Sequence, residues 1–138
     1  MDNIEFCNLV KEAREISGTS TIDLVIGLRK SEAAIGQLVK PKCDYNMVKY
    51  LEYLQVIGFY IVVSSKQCGA DISSEEDLNK WAKNVIEYLS LSSYQLGELL
   101  AIAQSTAYSI MNGGTMRLSI FLKLVDILEG KITLEAII

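Results

Sequence analysis

The 138-residue chain contains no histidine. That absence removes the commonest general base and the commonest side-chain ligand for transition metals. Cysteine is sparse. Cys7, Cys43 and Cys68 stand far apart, no Cys-x-x-Cys pair occurs, and an odd number cannot close a disulfide framework. They read as reduced, mostly buried thiols of a cytosolic protein. Long hydrophobic runs are missing too. The longest, Val56 to Val63, has eight residues, where a membrane-spanning helix needs about 20. The first residues, MDNIEF, are acidic and lack the basic opening of a signal peptide. The expected location is therefore cytoplasmic, with no membrane contact. No glycine loop for phosphate, no paired-carboxylate motif and no metal constellation is present, so neither catalysis nor a cofactor is expected. Cations are outnumbered, 13 against 17 acidic groups, for a net charge of −4. A field of that sign opposes indiscriminate attraction to nucleic acid or anionic lipid but leaves room for a local basic face.

What the chain does contain is 50 % apolar residues and a single proline, a composition that builds a packed core rather than a disordered chain. The apolar residues recur at helical spacing between clear start and stop signals. In the stretch Leu91 to Gly114, Ser92 and Gln95 form a capping box, Leu96, Leu99 and Leu100 make one apolar face, and Ala101-Ile102-Ala103 interrupts the pattern. Ala107, Ile110 and Met111 resume it, and Asn112-Gly113-Gly114 ends it. The pattern predicts helix, short turn, helix and stop, the layout of a helix-turn-helix. Before it, Ser74 and Asp77 cap a helix carrying Leu78, Trp81, Ala82, Val85, Ile86 and Leu89. After it, Leu118, Phe121, Leu122, Val125 and Leu128 form another stripe, ended by Gly130.

The first half follows the same plan. Leu9, Val10, Ala13 and Ile16 line a helix that Gly18 stops. Ser20 and Asp23 repeat the capping box ahead of Leu24 and Leu28. Arg29-Lys30 turns the chain, Ser31 caps a helix bearing Ile35 and Leu38, and Pro41 halts it. Met47, Tyr50, Leu51, Leu54 and Ile57 form the next stripe, ended by Gly58. Ser20, Leu24, Leu28, Ile35 and Leu38 match Ser92, Leu96, Leu100, Ala107 and Ile110 at an offset of 72, and the later helix matches at 71. Four successive elements in register indicate an internal duplication. The predicted fold is mainly α, a tandem pair of small helical bundles over residues 1–69 and 70–138, joined near Cys68 to Ser73. Residues 59–64 are aromatic and β-branched and read as a short strand. A lone strand is unstable. It must pair with the other copy, pair with a second chain in a homodimer (as the apolar C-terminal tail also could), or pack as an extended tail.

Both halves resemble the lambda-repressor and Cro-like helix-turn-helix family. The stretch LSSYQLGELLAIAQSTAYSIMNGG carries the closer match and Ser20 to Pro41 the weaker one, and together the copies cover most of the chain. The resemblance implies that the second helix of each motif lies in the major groove of double-stranded DNA while the first rests against the backbone. Carried over by position, Gln104, Ser105, Thr106, Tyr108 and Ser109 would face DNA, with Gln104 placed to read adenine through N6 and N7 and Ser93 to bond a phosphate. In the first copy the matching positions are Glu32, Ala33, Ala34, Gly36 and Gln37, flanked by Arg29, Lys30, Lys40 and Lys42. The family often places glycine at the turn, where this chain has Arg29 and Ala101, and a hydroxyl cap where it has Ala103.

Charge divides the copies. Residues 1–69 carry eight basic and eight acidic groups, whereas residues 70–138 carry five and nine. Only the first copy gathers cations around its second motif helix; in the second copy Arg117 and Lys123 are nearest. Tyr45, Tyr50 and Tyr53 read as core and edge packing. The expected function is a sequence-specific, repressor-like transcriptional regulator of bacterial or phage type. The competing expectation is an adaptor that binds another regulator through the same motifs.

Overall fold

The start signals in the sequence are used as written in the computed structural model, which describes all residues 1–138. Helix α1 (Asn3–Ser17) begins at Asp2, whose carboxylate accepts from Glu5 N at 2.9 Å, and ends at Gly18 in the left-handed conformation, φ 69°. Capping boxes at Ser20/Asp23 and Ser92/Gln95 open α2 (Thr21–Leu28) and α6 (Ser93–Leu100). Ser31 caps α3 (Glu32–Leu38), whereas Ala103 gives α7 (Gln104–Met111) no side-chain cap. Helices α4 (Met47–Ile57), α5 (Glu75–Leu89) and α8 (Leu118–Ile127) complete two sets of four.

Each set runs into a strand, β1 (Phe59–Ser64) in the first copy and β3 (Lys131–Ala136) in the second. A third strand, β2 (Ala70–Ile72), lies inside the expected junction, where no strand signal is present in the sequence. Its three residues are too few to show periodicity; pairing with β1 makes them a strand. The sheet order is β2-β1-β3, antiparallel throughout. Residues 59–64 therefore pair with the other copy, along their whole length on the β3 side and at Ile61–Val63 on the β2 side. Within residues 59–63 only Phe59 and Tyr60 are without a partner on the β2 side. The C-terminal tail is β3, at the margin of the sheet.

Phe59, Ile61 and Val63 point inward while Tyr60 and Val62 are half-covered and Ser64 is exposed, the alternation a one-sided sheet requires. The inward face meets helices of both copies in one cluster of 34 buried residues. The duplicated bundles are thus not two separately cored bodies. An edge-on aromatic pair joins the first and fourth helices of each copy: Phe6 on Tyr50 at 5.7 Å, and Trp81 on Phe121 at 5.2 Å. Trp81 Nε1 also donates to Cys68 O at 2.8 Å and pins the junction to α5.

Two residues assigned inward are exposed. Ile16 is 78 % exposed, because the buried stripe of α1 runs through Phe6, Val10 and Ala13 and leaves position 16 about 100° to one side. Leu99 is half exposed, since Leu96, Gly97 and Leu100 form the packed face of α6. No helix is long and apolar enough to cross a membrane.

The copies meet at a second place. Asn46 and Arg117, the residues preceding α4 and α8, form an antiparallel bridge. Met47 N donates to Met116 O at 2.8 Å, and Leu118 N to Tyr45 O at 3.0 Å. Asn46 caps its own helix through Val48 N at 3.0 Å, which Arg117 cannot do. Asp44 of the first copy supplies that cap, accepting from Ser119 N at 2.9 Å and from the Ser119 hydroxyl.

Candidate nucleic-acid interface

In both copies two short helices are joined by a three-residue turn: Arg29-Lys30-Ser31 between α2 and α3, and Ala101-Ile102-Ala103 between α6 and α7. The chain reverses through a left-handed residue, Arg29 at φ 54° and Ala101 at φ 56°, a conformation that favours glycine and costs other residues about 1 kcal/mol. Gly97 permits close approach after the second turn, because a Cβ there would stand 3.1 Å from Ile102 O. Leu24, Ile35 and Leu38 anchor the first pair of helices, and Leu96, Leu100, Ala107 and Ile110 the second, all buried. The opposite faces of α3 and α7 are left to solvent.

The residues singled out from sequence lie on those open faces. Glu32, Ala33, Gly36 and Gln37 are exposed along α3, with Ala34 half-buried, and Arg29, Lys40 and Lys42 are exposed around it; Lys30 is half-buried. Gln104, Ser105, Thr106, Tyr108 and Ser109 are exposed along α7, and Ser93 at the start of α6 is half-buried. Gln104 and Ser93 touch, the amide donating to Ser93 Oγ at 3.2 Å. The amide at the start of α7 and the hydroxyl at the start of α6 are thereby tied to one another across the motif.

Electrostatically the two faces differ. The whole protein has two ion pairs, the N-terminus with Asp126 and Lys80 with Glu76. Arg29, Lys30, Lys40 and Lys42 thus have no acidic partner, and they bracket α3 at both ends. Around α7 the cations nearest in sequence are engaged elsewhere, and of the two lysines lining the cleft at its C-terminal end Lys80 is paired with Glu76 while Lys83 is unpaired. Lys123 Nζ donates to Leu100 O at 3.0 Å, at the C-terminal end of α6, and Arg117 donates to Asp44 O at 3.4 Å.

From sequence Tyr45 reads as packing and Lys49 carries no signal, yet both belong to this face. Tyr45 is only half-buried, and its hydroxyl donates to Gln37 Oε1 at 3.4 Å. Lys49 Nζ stands 4.5 Å over its ring, within cation–π range. Their four-residue spacing is a signal within a helix, but the pair spans the start of α4, where helical periodicity does not apply. Tyr50 behaves as expected of a core residue and adds a polar function. Its hydroxyl donates to Cys43 O at 3.1 Å and accepts from Tyr45 N at 3.3 Å, fixing the loop that follows α3. Burial pushes its phenol up to about 12.

No three His, Cys, Asp or Glu side chains gather to hold a metal ion. The cleft at the end of α7, about 630 Å³, is lined by Glu75, Glu76, Lys80, Lys83 and Asn112 among others and by one apolar residue, Met111, unlike the mostly apolar pockets that bind small molecules. No protein-family model, curated protein or solved structure matches this chain.

Proposed function

We propose that the protein is a sequence-specific DNA-binding regulator of transcription whose first copy supplies the phosphate contacts. The observation that carries this reading is the set of four cations without acidic partners around α3. A helix that enters the major groove needs positive charge beside it, because phosphate contacts supply most of the non-specific affinity. It also needs a face that the groove can approach. Ala33 and Gly36 make that face low, and nothing lies within 4 Å of where a Gly36 Cβ would be. Gln37 and Glu32 then offer base-reading groups, an amide for adenine and a carboxylate for the cytosine amine. Fluorescence anisotropy on a labelled 20-base-pair duplex of mixed sequence tests the reading. Binding should be measurable at about 50 mM salt and fall by orders of magnitude by about 200 mM. An absence of binding at low salt counts against it.

A second reading has its own support. Ile22 and Ile26, one turn apart on α2, are each 70 % exposed, and Tyr108 on α7 is 63 % exposed. Exposed apolar and tyrosine side chains suit a protein partner better than a phosphate backbone. On that reading Ile22→Glu abolishes partner capture and leaves DNA untouched.

A further inference from the structure

The pairing between the copies has a symmetry that tandem duplication alone does not demand. Strand β1 pairs antiparallel with β3 from Phe59↔Ala136 to Ser64↔Lys131. The two strands, each of six residues, correspond end to end, Phe59 with Lys131 and Ser64 with Ala136. Exchanging the copies therefore turns the first pair of this ladder into its last and leaves the ladder unchanged. The bridge before α4 and α8 behaves alike. At the offset of 71, Met47 corresponds to Leu118 and Tyr45 to Met116, so the two hydrogen bonds Met47 N to Met116 O and Leu118 N to Tyr45 O exchange. Equivalent segments that pair antiparallel at a self-matching register are related by a two-fold rotation. A translational repeat would bring unlike segments together.

Two independent contacts thus define one pseudo-dyad, with α4 and α8 running between them. The loop from α3 enters the bridge at one side and the loop from α7 at the other. Rotation about a two-fold axis leaves the axial component of any direction unchanged. Whatever direction along the axis the exposed face of α3 has, the exposed face of α7 therefore shares.

From this we infer that a single chain reads DNA as a built-in dimer, engaging two half-sites of opposite strand sense. The inference rests on the DNA-binding reading and adds the partner's form to it. Symmetric dimers achieve this with two chains and a palindrome, the half-sites one helical turn or a multiple apart. Here the recognition faces differ, so the natural site is an inverted pair of unlike half-sites, bound by one chain.

The test is to make the faces alike. Transplanting the α7 face onto α3 takes Glu32→Gln, Ala33→Ser, Ala34→Thr, Gly36→Tyr and Gln37→Ser, four exposed positions and one half-buried. The reverse transplant onto α7, with Gln104→Glu, Ser105→Ala, Thr106→Ala, Tyr108→Gly and Ser109→Gln, guards against a folding failure of the first. Each full-length variant and the wild type are used to select duplexes from a pool with about 24 random base pairs, enough for two half-sites a helical turn apart, and stoichiometry is measured by sedimentation. The expected result is a palindrome for each transplanted chain, one chain per duplex, and affinity weakened about tenfold or more when one half-site is reversed into a direct repeat, as mismatched base pairs require. Selection of direct repeats, of a single half-site, or of duplexes carrying two chains overturns the inference and leaves DNA binding standing. No enrichment by any of the three proteins overturns the DNA-binding reading and this inference with it.

Discussion

The first copy and the second share an architecture and a core, but several features around α3 and α7 are resolved differently. The first caps α3 with Ser31 and α4 with Asn46, while the second leaves α7 uncapped at Ala103 and borrows Asp44 from its neighbour for α8. The first ties down its α3 loop with the Tyr50 hydroxyl, where the second has Phe121. Around α3 the first keeps four cations without acidic partners, whereas the second commits Lys123 and Arg117 to backbone carbonyls and leaves Lys83 unpaired at the end of α7. The interior therefore holds the duplication while the surface has been free to diverge. Side chains packed against the shared sheet answer to both copies at once, and solvent-facing ones answer to neither.

The largest expected effect comes from attacking what the copies share. Trp81→Ala removes a buried ring, its packing on Phe121 and its bond to Cys68 O, at a cost of roughly 3–5 kcal/mol. Because the core is continuous, urea unfolding followed by circular dichroism and by tyrosine fluorescence should show one transition moved to lower urea. Two separated transitions would mean that the copies fold as independent bodies.

Asp44→Ala should cost about 1–2 kcal/mol, the worth of an N-cap, although Asp44 belongs to the other copy. Asp44→Asn should restore most of it, since the amide oxygen still accepts from Ser119 N. Equal loss from both variants would show that the cap is not the cause.

Tyr50→Phe makes the first copy like the second and should cost about 1 kcal/mol for the missing hydrogen bonds. It also has a pH signature. A phenol whose pKa is raised by folding favours the fold while it is protonated. Its contribution is complete below about pH 10, the unfolded value, and is lost as the pH rises through about 12. Tyr50→Phe should flatten the alkaline fall in stability between those limits, and an unchanged alkaline limb would remove Tyr50 as its source.

The smallest effect is a gain. Ala101→Gly relieves a left-handed alanine and should stabilise by up to about 1 kcal/mol. Arg29→Gly relieves the same strain in the first copy but removes a cation, so stability should rise while DNA affinity falls. If both variants left melting temperature unchanged, backbone strain at the turns would not be limiting.

Much of the fold is legible in the sequence because it rests on short-range signals. Ser20 with Asp23 and Ser92 with Gln95 state where two helices begin, and spacing states which faces they bury. The offset of 72 holds through the turn and both motif helices. What escapes is set by long-range pairing. Nothing local marks Ala70–Ile72 as a strand, Asp44 as the cap of a helix 75 residues away, or Lys123 as already engaged. The site is legible in part for the same reason. Exposure of α3 and α7 follows from their buried stripes, while the link from Gln37 to Tyr45 and Lys49 depends on how the loop before α4 folds back.

Everything proposed for DNA depends on the cations of the first copy acting on phosphate. The decisive experiment is the salt dependence of duplex binding for the wild type and for the triple variant Lys30→Ala, Lys40→Ala, Lys42→Ala, with Lys131→Ala on β3 of the second copy as the comparison. Each neutralised phosphate adds about 0.9 to the slope of log K against log salt. The wild-type slope should be steep. The triple variant should be shallower by about 0.9 for each phosphate it no longer neutralises, and weaker on every sequence, while the second-copy variant keeps the wild-type slope. A triple variant with wild-type affinity and slope would contradict the role assigned to these lysines.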